Sequence, residues 1–121
     1  MIVGNGVDII EVRRIRQAVD KWGDDFLGRI FTDKELEIAK SRVARYEHLA
    51  GRFAAKEAIF KALVDKEINW KDIEISNNKD GKPLCKILKK AKNKFDIQVS
   101  ISHVKNYATA FAIVTKKPVR S

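Results

Sequence analysis

The stretch Gly51-Arg52-Phe53-Ala54-Ala55-Lys56-Glu57-Ala58-Ile59-Phe60-Lys61 sets the reading of the whole chain. Around it Tyr46, Leu49, Ala50, Phe53, Phe60 and Val64 recur at the spacing of one helical face, which predicts a helix over about residues 44–64. Glu57 falls inside that apolar stripe, between Phe53 and Phe60, and is expected to point inward. An ionised carboxylate there is costly unless it is paired, hydrogen-bonded or bound to a metal. The helix therefore needs a partner for Glu57 from elsewhere in the chain.

Upstream, residues 2–10 alternate as a strand that puts Asp8 on the face of Ile2 and Ile10, with Val3, Val7 and Ile9 on the other. A helix over about 11–22 follows. Val12, Ile15, Val19 and Trp22 make its buried stripe, Arg14 and Lys21 face solvent, and Gly23 ends it. Thr32 with Glu35 three positions later is a capping-box signature for a helix from Asp33 to about Ser41. Downstream the period becomes two. Ile73 and Ile75 mark one strand, the turn Asn77-Asn78-Lys79-Asp80-Gly81-Lys82-Pro83 leads into another over 84–88, and Ile97, Val99, Ile101 and His103 mark a third. Residues 108–115 pair back after a turn near Lys105-Asn106. Strand, helices, then strands predict one α+β domain over 1–121, with a mostly antiparallel sheet packed by the long helix.

The 121 residues, 45% of them hydrophobic, are enough for one core. Twenty-five Lys and Arg against 16 Asp and Glu leave a net charge of +9, which favours an acidic partner. The single Cys85 cannot form an intrachain disulfide, and with no cysteine pair at metal-ligand spacing the natural setting is the reducing cytoplasm. No basic, apolar leader opens the chain and no stretch approaches the roughly twenty apolar residues of a membrane span, so a soluble protein is expected.

Three elements carry candidate chemistry. Gly6-Val7-Asp8-Ile9 places an acid in a strand; Gly4 and Gly6 do not make a dinucleotide loop, because Ile9 stands where a third glycine belongs. Glu57 and Lys61, four apart, suit a helical salt bridge. Equally, Glu57 and Asp8 suit a shared divalent cation such as Mg²⁺, which commonly takes one or two protein carboxylates, with Lys61 neutralising phosphate charge. Ser100-Ile101-Ser102-His103 ends a strand, where His103 is either structural or reactive. The basic run over 89–94 reads as a solvated surface or a phosphate contact.

In order and spacing, Gly-Val-Asp-Ile, Gly51 to Ala58 with Lys61, and Ser100-Ile101-Ser102-His103 resemble the signatures of the phosphopantetheinyl transferase superfamily, closest to the small holo-acyl-carrier-protein synthases. That resemblance implies Mg²⁺-dependent transfer of 4′-phosphopantetheine from coenzyme A to a serine of apo acyl carrier protein, with release of adenosine 3′,5′-bisphosphate. It implies Asp8 and Glu57 as metal ligands, and catalytic roles for them with Lys61 and His103. By the same analogy, Arg52, Lys61, Gly81, Pro83, Ser102 and His103 contact coenzyme A. Because such carrier proteins are acidic, Arg13, Arg14 and Lys21 on the exposed side of the first helix are the candidates for docking one. The family's small members also imply a homotrimer with active sites between subunits. A nucleic-acid-binding module is the rival reading of the positive charge, but it leaves Asp8 and Glu57 unexplained and needs exposed, interleaved aromatics. A non-enzymatic assembly protein would tolerate loss of both acids. Neither nucleic acid nor membrane is an expected partner.

Overall fold

In the computed structural model, which describes residues 1–63, 67–89 and 94–118, the two apolar periodicities fold against each other. Strand β1 (Ile2–Glu11) leads into helices α1 (Val12–Trp22), α2 (Asp24–Ile30), α3 (Asp33–Lys40) and α4 (Arg45–Leu63). A single 3₁₀ turn at Trp70–Asp72 precedes β2 (Ile73–Asn77), β3 (Pro83–Ile87), β4 (Phe95–His103) and β5 (Tyr107–Lys116). The expected helix end at Val64, residues 90–93 of the basic run and residues 119–121 of the tail lie outside the described residues.

All strand pairing is antiparallel: β5 lies between β1 and β4 in one sheet, and β2 with β3 form a hairpin. Helix α4 crosses the inner face of the larger sheet, where the strands offer Ala108, Ala110, Ala112, Val114 and Val99 against its Ala54, Ala55, Ala58, Ile59 and Ala62. These side chains are short, so helix and sheet approach closely. At Gly4 and Gly6 the approach is closest: a β-carbon added there would overlap the carbonyl oxygens of Ala62 and Ala58. The sheet's other face carries no described element. A second cluster, with Val12, Ile15, Leu27, Phe31 and Leu49 at its centre, binds α1, α2 and α3 to the start of α4. Among the described residues no helix is long and apolar enough to cross a membrane.

The helix boundaries follow their chemistry. Gly23 ends α1 in a positive-φ conformation (φ 55°) with its N–H donating to Val19 O, and α2 begins at once with Asp24 and Asp25 in its first turn. Thr32 and Glu35 form the expected capping box on α3. Trp22 is a correction, since it is 55% exposed instead of buried. The chain turns at Gly23 before the stripe can continue, and the Lys21 ammonium sits 4.8 Å above the indole.

The larger correction concerns the buried charge on α4. Glu57 is only partly buried, whereas Lys56 is 0% exposed. The stripe through Phe53, Glu57 and Phe60 is a flank of α4, because sheet, hairpin and α3 cover the helix on several sides and bury Arg52 and Lys56 as well. The ammonium of Lys56 donates to Glu35 Oε1 at 2.7 Å and to the carbonyls of Ile30 and Trp70 at 2.9 Å, which matches its three donors with three acceptors. Glu35, 1% exposed, also accepts from Thr32 N on Oε1 and from Ile75 N on Oε2, both at 2.8 Å. Burial pulls the pKa of Lys56 down while Glu35 opposes that shift. Removing one partner leaves an uncompensated charge in the interior. Lys56→Met is expected to cost about 3–5 kcal/mol, read as a lowered urea midpoint with unchanged slope.

Candidate active site

Asp8, Glu57 and Lys61 meet in one cleft of about 480 Å³, lined also by Arg14, Ile15 and Ala18 of α1, Phe26 of α2 and Phe53 of α4. The glycine contacts explain the meeting. With Gly4 and Gly6 against the α4 carbonyls, the inward-facing Asp8 two residues on arrives beside the last turns of that helix. Thr109 of β5 pins the strand by donating its hydroxyl to Asp8 O at 2.8 Å. Lys61 Nζ donates to Asp8 Oδ1 and to Val7 O, each at 3.1 Å. The expected Glu57–Lys61 salt bridge is thus replaced by a Lys61–Asp8 pair across elements.

Glu57 makes no hydrogen bond or ion pair with the described residues. Burial first, and the nearby Asp8 second, push its pKa up, with Lys61 partly offsetting them. Two carboxylates held near each other with one in want of a counter-charge suit a hard divalent cation. No group of three or more His, Cys, Asp and Glu side chains gathers among the described residues. A donor set of two carboxylates leaves the remaining positions to water and substrate oxygens, the Mg²⁺ pattern and not the Zn²⁺ one.

The other expected site residues lie apart from this cleft. Arg52 is 5% exposed, donates from Nη2 to Asn77 Oδ1 at 2.7 Å, and finds no partner for its buried Nε among the described residues. Asn77 opens the hairpin turn in which Gly81 takes positive φ and after which Pro83 begins β3. Ser102 and His103 are exposed at the end of β4, and His103 Nδ1 lies 2.9 Å from Glu47 Oε1 on the first turn of α4. Of the docking candidates only Arg14 enters the cleft. Arg13 is exposed and bridged to Glu11 at 2.9 Å, and Lys21 covers Trp22. The sequence reading missed α2 and its Phe26, although Asp24-Asp25 directly after Gly23 is a helix-start signal. It also missed Glu35 as the partner of a buried charge.

An α+β fold in which a strand acid and a helix acid, with a lysine one turn on, share a cleft has the charges that phosphoryl-type transfer uses. The chain belongs to the 4′-phosphopantetheinyl transferase superfamily, whose family profile matches residues 4–112. Within it, the chain is 47% identical to the holo-[acyl-carrier-protein] synthase of Thermodesulfovibrio yellowstonii, over 95% of this chain and 100% of that one. Against the synthase of Halothermothrix orenii it is 45% identical, over 93% and 97% of the two chains. Among solved structures, the Bacillus anthracis holo-(acyl-carrier-protein) synthase in complex with CoA (3′,5′-ADP) superposes with a TM-score of 0.83 at 39% identity, covering 98% of this chain and 99% of that one. The Helicobacter pylori synthase in complex with coenzyme A gives 0.82 at 32%, covering 92% and 99%.

The Arg52 side of α4 has its own pH signature. Burial, then the charges of Arg52, Arg42 and His103, lower the pKa of His48 from 6.5 to about 4. Folding therefore favours neutral His48, so its contribution to stability is whole above pH 6.5 and is lost as the pH falls toward about 4. His48→Gln, which cannot charge, is expected to flatten that part of the stability profile in urea titrations across the acid range.

Proposed function

We propose that this chain transfers the 4′-phosphopantetheine arm of coenzyme A to a serine hydroxyl of apo acyl carrier protein. The serine oxygen attacks the phosphorus that carries the pantetheine arm and gives up its proton to a base of the site or to water, the bond from that phosphorus to the bridging oxygen breaks, and adenosine 3′,5′-bisphosphate leaves. The convergence of Asp8, Glu57 and Lys61 in one cleft, on a chain so similar to holo-[acyl-carrier-protein] synthases, is the observation that carries the reading.

Phosphoryl transfer asks the protein for alignment and charge neutralisation more than for covalent help. Asp8 and Glu57 would hold a Mg²⁺ ion, which when bound supplies positive charge to the pyrophosphate. Lys61, half exposed at the cleft, offers an ammonium to a phosphate oxygen. Phe53, Phe26 and Ile15 wall the cleft with apolar surface that limits water. Arg14, at the cleft and on the outer side of α1, with Arg13 and Lys21 along the same helix, steers an acidic carrier protein. Cys85 takes no part: it is free, and burial pushes its thiol up to about 12. The resemblance and the lone free cysteine favour the cytoplasm as its setting.

The assembly we propose is a homotrimer. Val3 (53%), Val7 (58%), Ile9 (66%) and Phe111 (42%) are exposed on the outer face of the larger sheet, where Val7 is the register partner of Phe111. Such a sheet face is ordinarily polar, and an apolar one invites a second copy of the chain. A site between copies would add the Arg52, Gly81, Pro83, Ser102 and His103 group of one subunit to the Asp8 cleft of its neighbour. His103 would act from that side of the site.

Two measurements test these readings. Intact-mass spectrometry of apo acyl carrier protein with coenzyme A should show gain of one phosphopantetheine unit with Mg²⁺ and none with chelator. Asp8→Asn and Glu57→Gln should each lower the rate by about 10²-fold or more while circular dichroism stays native; retained activity in both would sink the assignment. Light scattering should find three chains per particle for the native protein and fewer for Phe111→Lys, with activity falling alongside the trimer.

A further inference from the structure

The two acids of the cleft are not equivalent. Glu57 has no hydrogen-bond or ion-pair partner among the described residues, whereas Asp8 Oδ1 is taken by the ammonium of Lys61 at 3.1 Å. The same ammonium donates to Val7 O at 3.1 Å, so two of its three donors are spent on β1. Asp8 is well covered, with its side chain 18% exposed, while that of Lys61 is 54% exposed. The lysine thus reaches inward from the open side of the cleft and lies on one of the two Asp8 oxygens that a metal could take. An ammonium at hydrogen-bond distance and a divalent cation repel each other on one carboxylate oxygen, and the flexible four-carbon stem of lysine lets the head move without the backbone.

We infer that Lys61 is an internal cation that pairs with Asp8 and yields it when coenzyme A arrives, so that one side chain couples metal binding to substrate binding. Pyrophosphate oxygens give the ammonium a new partner and loosen its hold on Asp8 Oδ1, which would leave both carboxylates free to hold a divalent ion. Because coupling is reciprocal, metal also tightens coenzyme A. Lys61 thereby acts beyond phosphate contact, as the residue that sets when the metal site is available. The inference rests on the proposed roles of Asp8 and Glu57, and its test separates the two.

The test is Mn²⁺ binding, followed by the electron paramagnetic resonance signal of the free ion, for the native protein, Lys61→Met and Arg14→Met, each with and without coenzyme A. Arg14 lines the same cleft, but its ion-pair contact is with Glu11 at 3.9 Å, so Arg14→Met reports the general effect of removing a positive charge. Without coenzyme A, Lys61→Met is expected to bind Mn²⁺ about tenfold or more tightly than the native protein, within the usual range of coupling, and more tightly than Arg14→Met. With coenzyme A the difference should narrow. A merely structural lysine would not tighten metal binding on removal. If Lys61→Met without coenzyme A binds no more tightly than Arg14→Met, the inference is overturned, including the case in which binding appears only with coenzyme A in every variant. If no folded variant binds Mn²⁺ under either condition, the metal roles of Asp8 and Glu57 fail, and this inference with them.

Discussion

The buried ion pair between Lys56 and Glu35 is the constraint on which the other placements depend. Around one ammonium and one carboxylate it gathers the end of α2 through Ile30 O, the cap of α3 through Thr32 N, the turn before β2 through Trp70 O and the open edge of β2 through Ile75 N. Each of those backbone groups would otherwise be a polar atom needing a partner in a dry interior. A fully satisfied network of this kind admits few alternative arrangements. It also fixes the rotation of α4. With Lys56 directed into the helical layer, its neighbour Glu57 must face the flank, where the cleft lies.

On the opposite side of α4 the constraint is distance. Glycines on β1 and alanines on β5 bring the strand backbone to the helix backbone, and only such small residues permit it. The consequence is functional, since a larger residue at Gly6 would push the strand outward and carry Asp8 away from Glu57 and Lys61. Stability and site geometry therefore come from the same few contacts. Glu57, partly buried and without a partner among the described residues, is the part that folding alone would not favour, and such costs are common where a site must receive charge.

Much of this was legible in the chain. The capping box at Thr32 and Glu35, the glycine stop at Gly23, the hairpin after Asn77 and the alternation of β4 and β5 are local signals, set by backbone hydrogen bonding and by period, and each element appears where those signals put it. The three motifs that carry the family resemblance were also legible, because their order and spacing survive in one dimension. The short α2 was not read, having only seven residues and little apolar period. The burial of Lys56 was not legible either. A lysine on a helix reads as solvent-exposed until a carboxylate and two carbonyls from elsewhere are brought to it.

By itself the sequence determined the element order, the α+β class, the pairing of strand acid with helix acid as candidates, and the membership that the motifs announce. Those properties depend on neighbours close along the chain or on residue identity alone. Only the tertiary structure decided which charge is buried, that Lys61 turns to Asp8 instead of Glu57, and that Arg52 and His103 stand apart from the Asp8 cleft. Those outcomes depend on how many layers cover each helix face and on which distant groups reach one point, and helical or strand period carries neither.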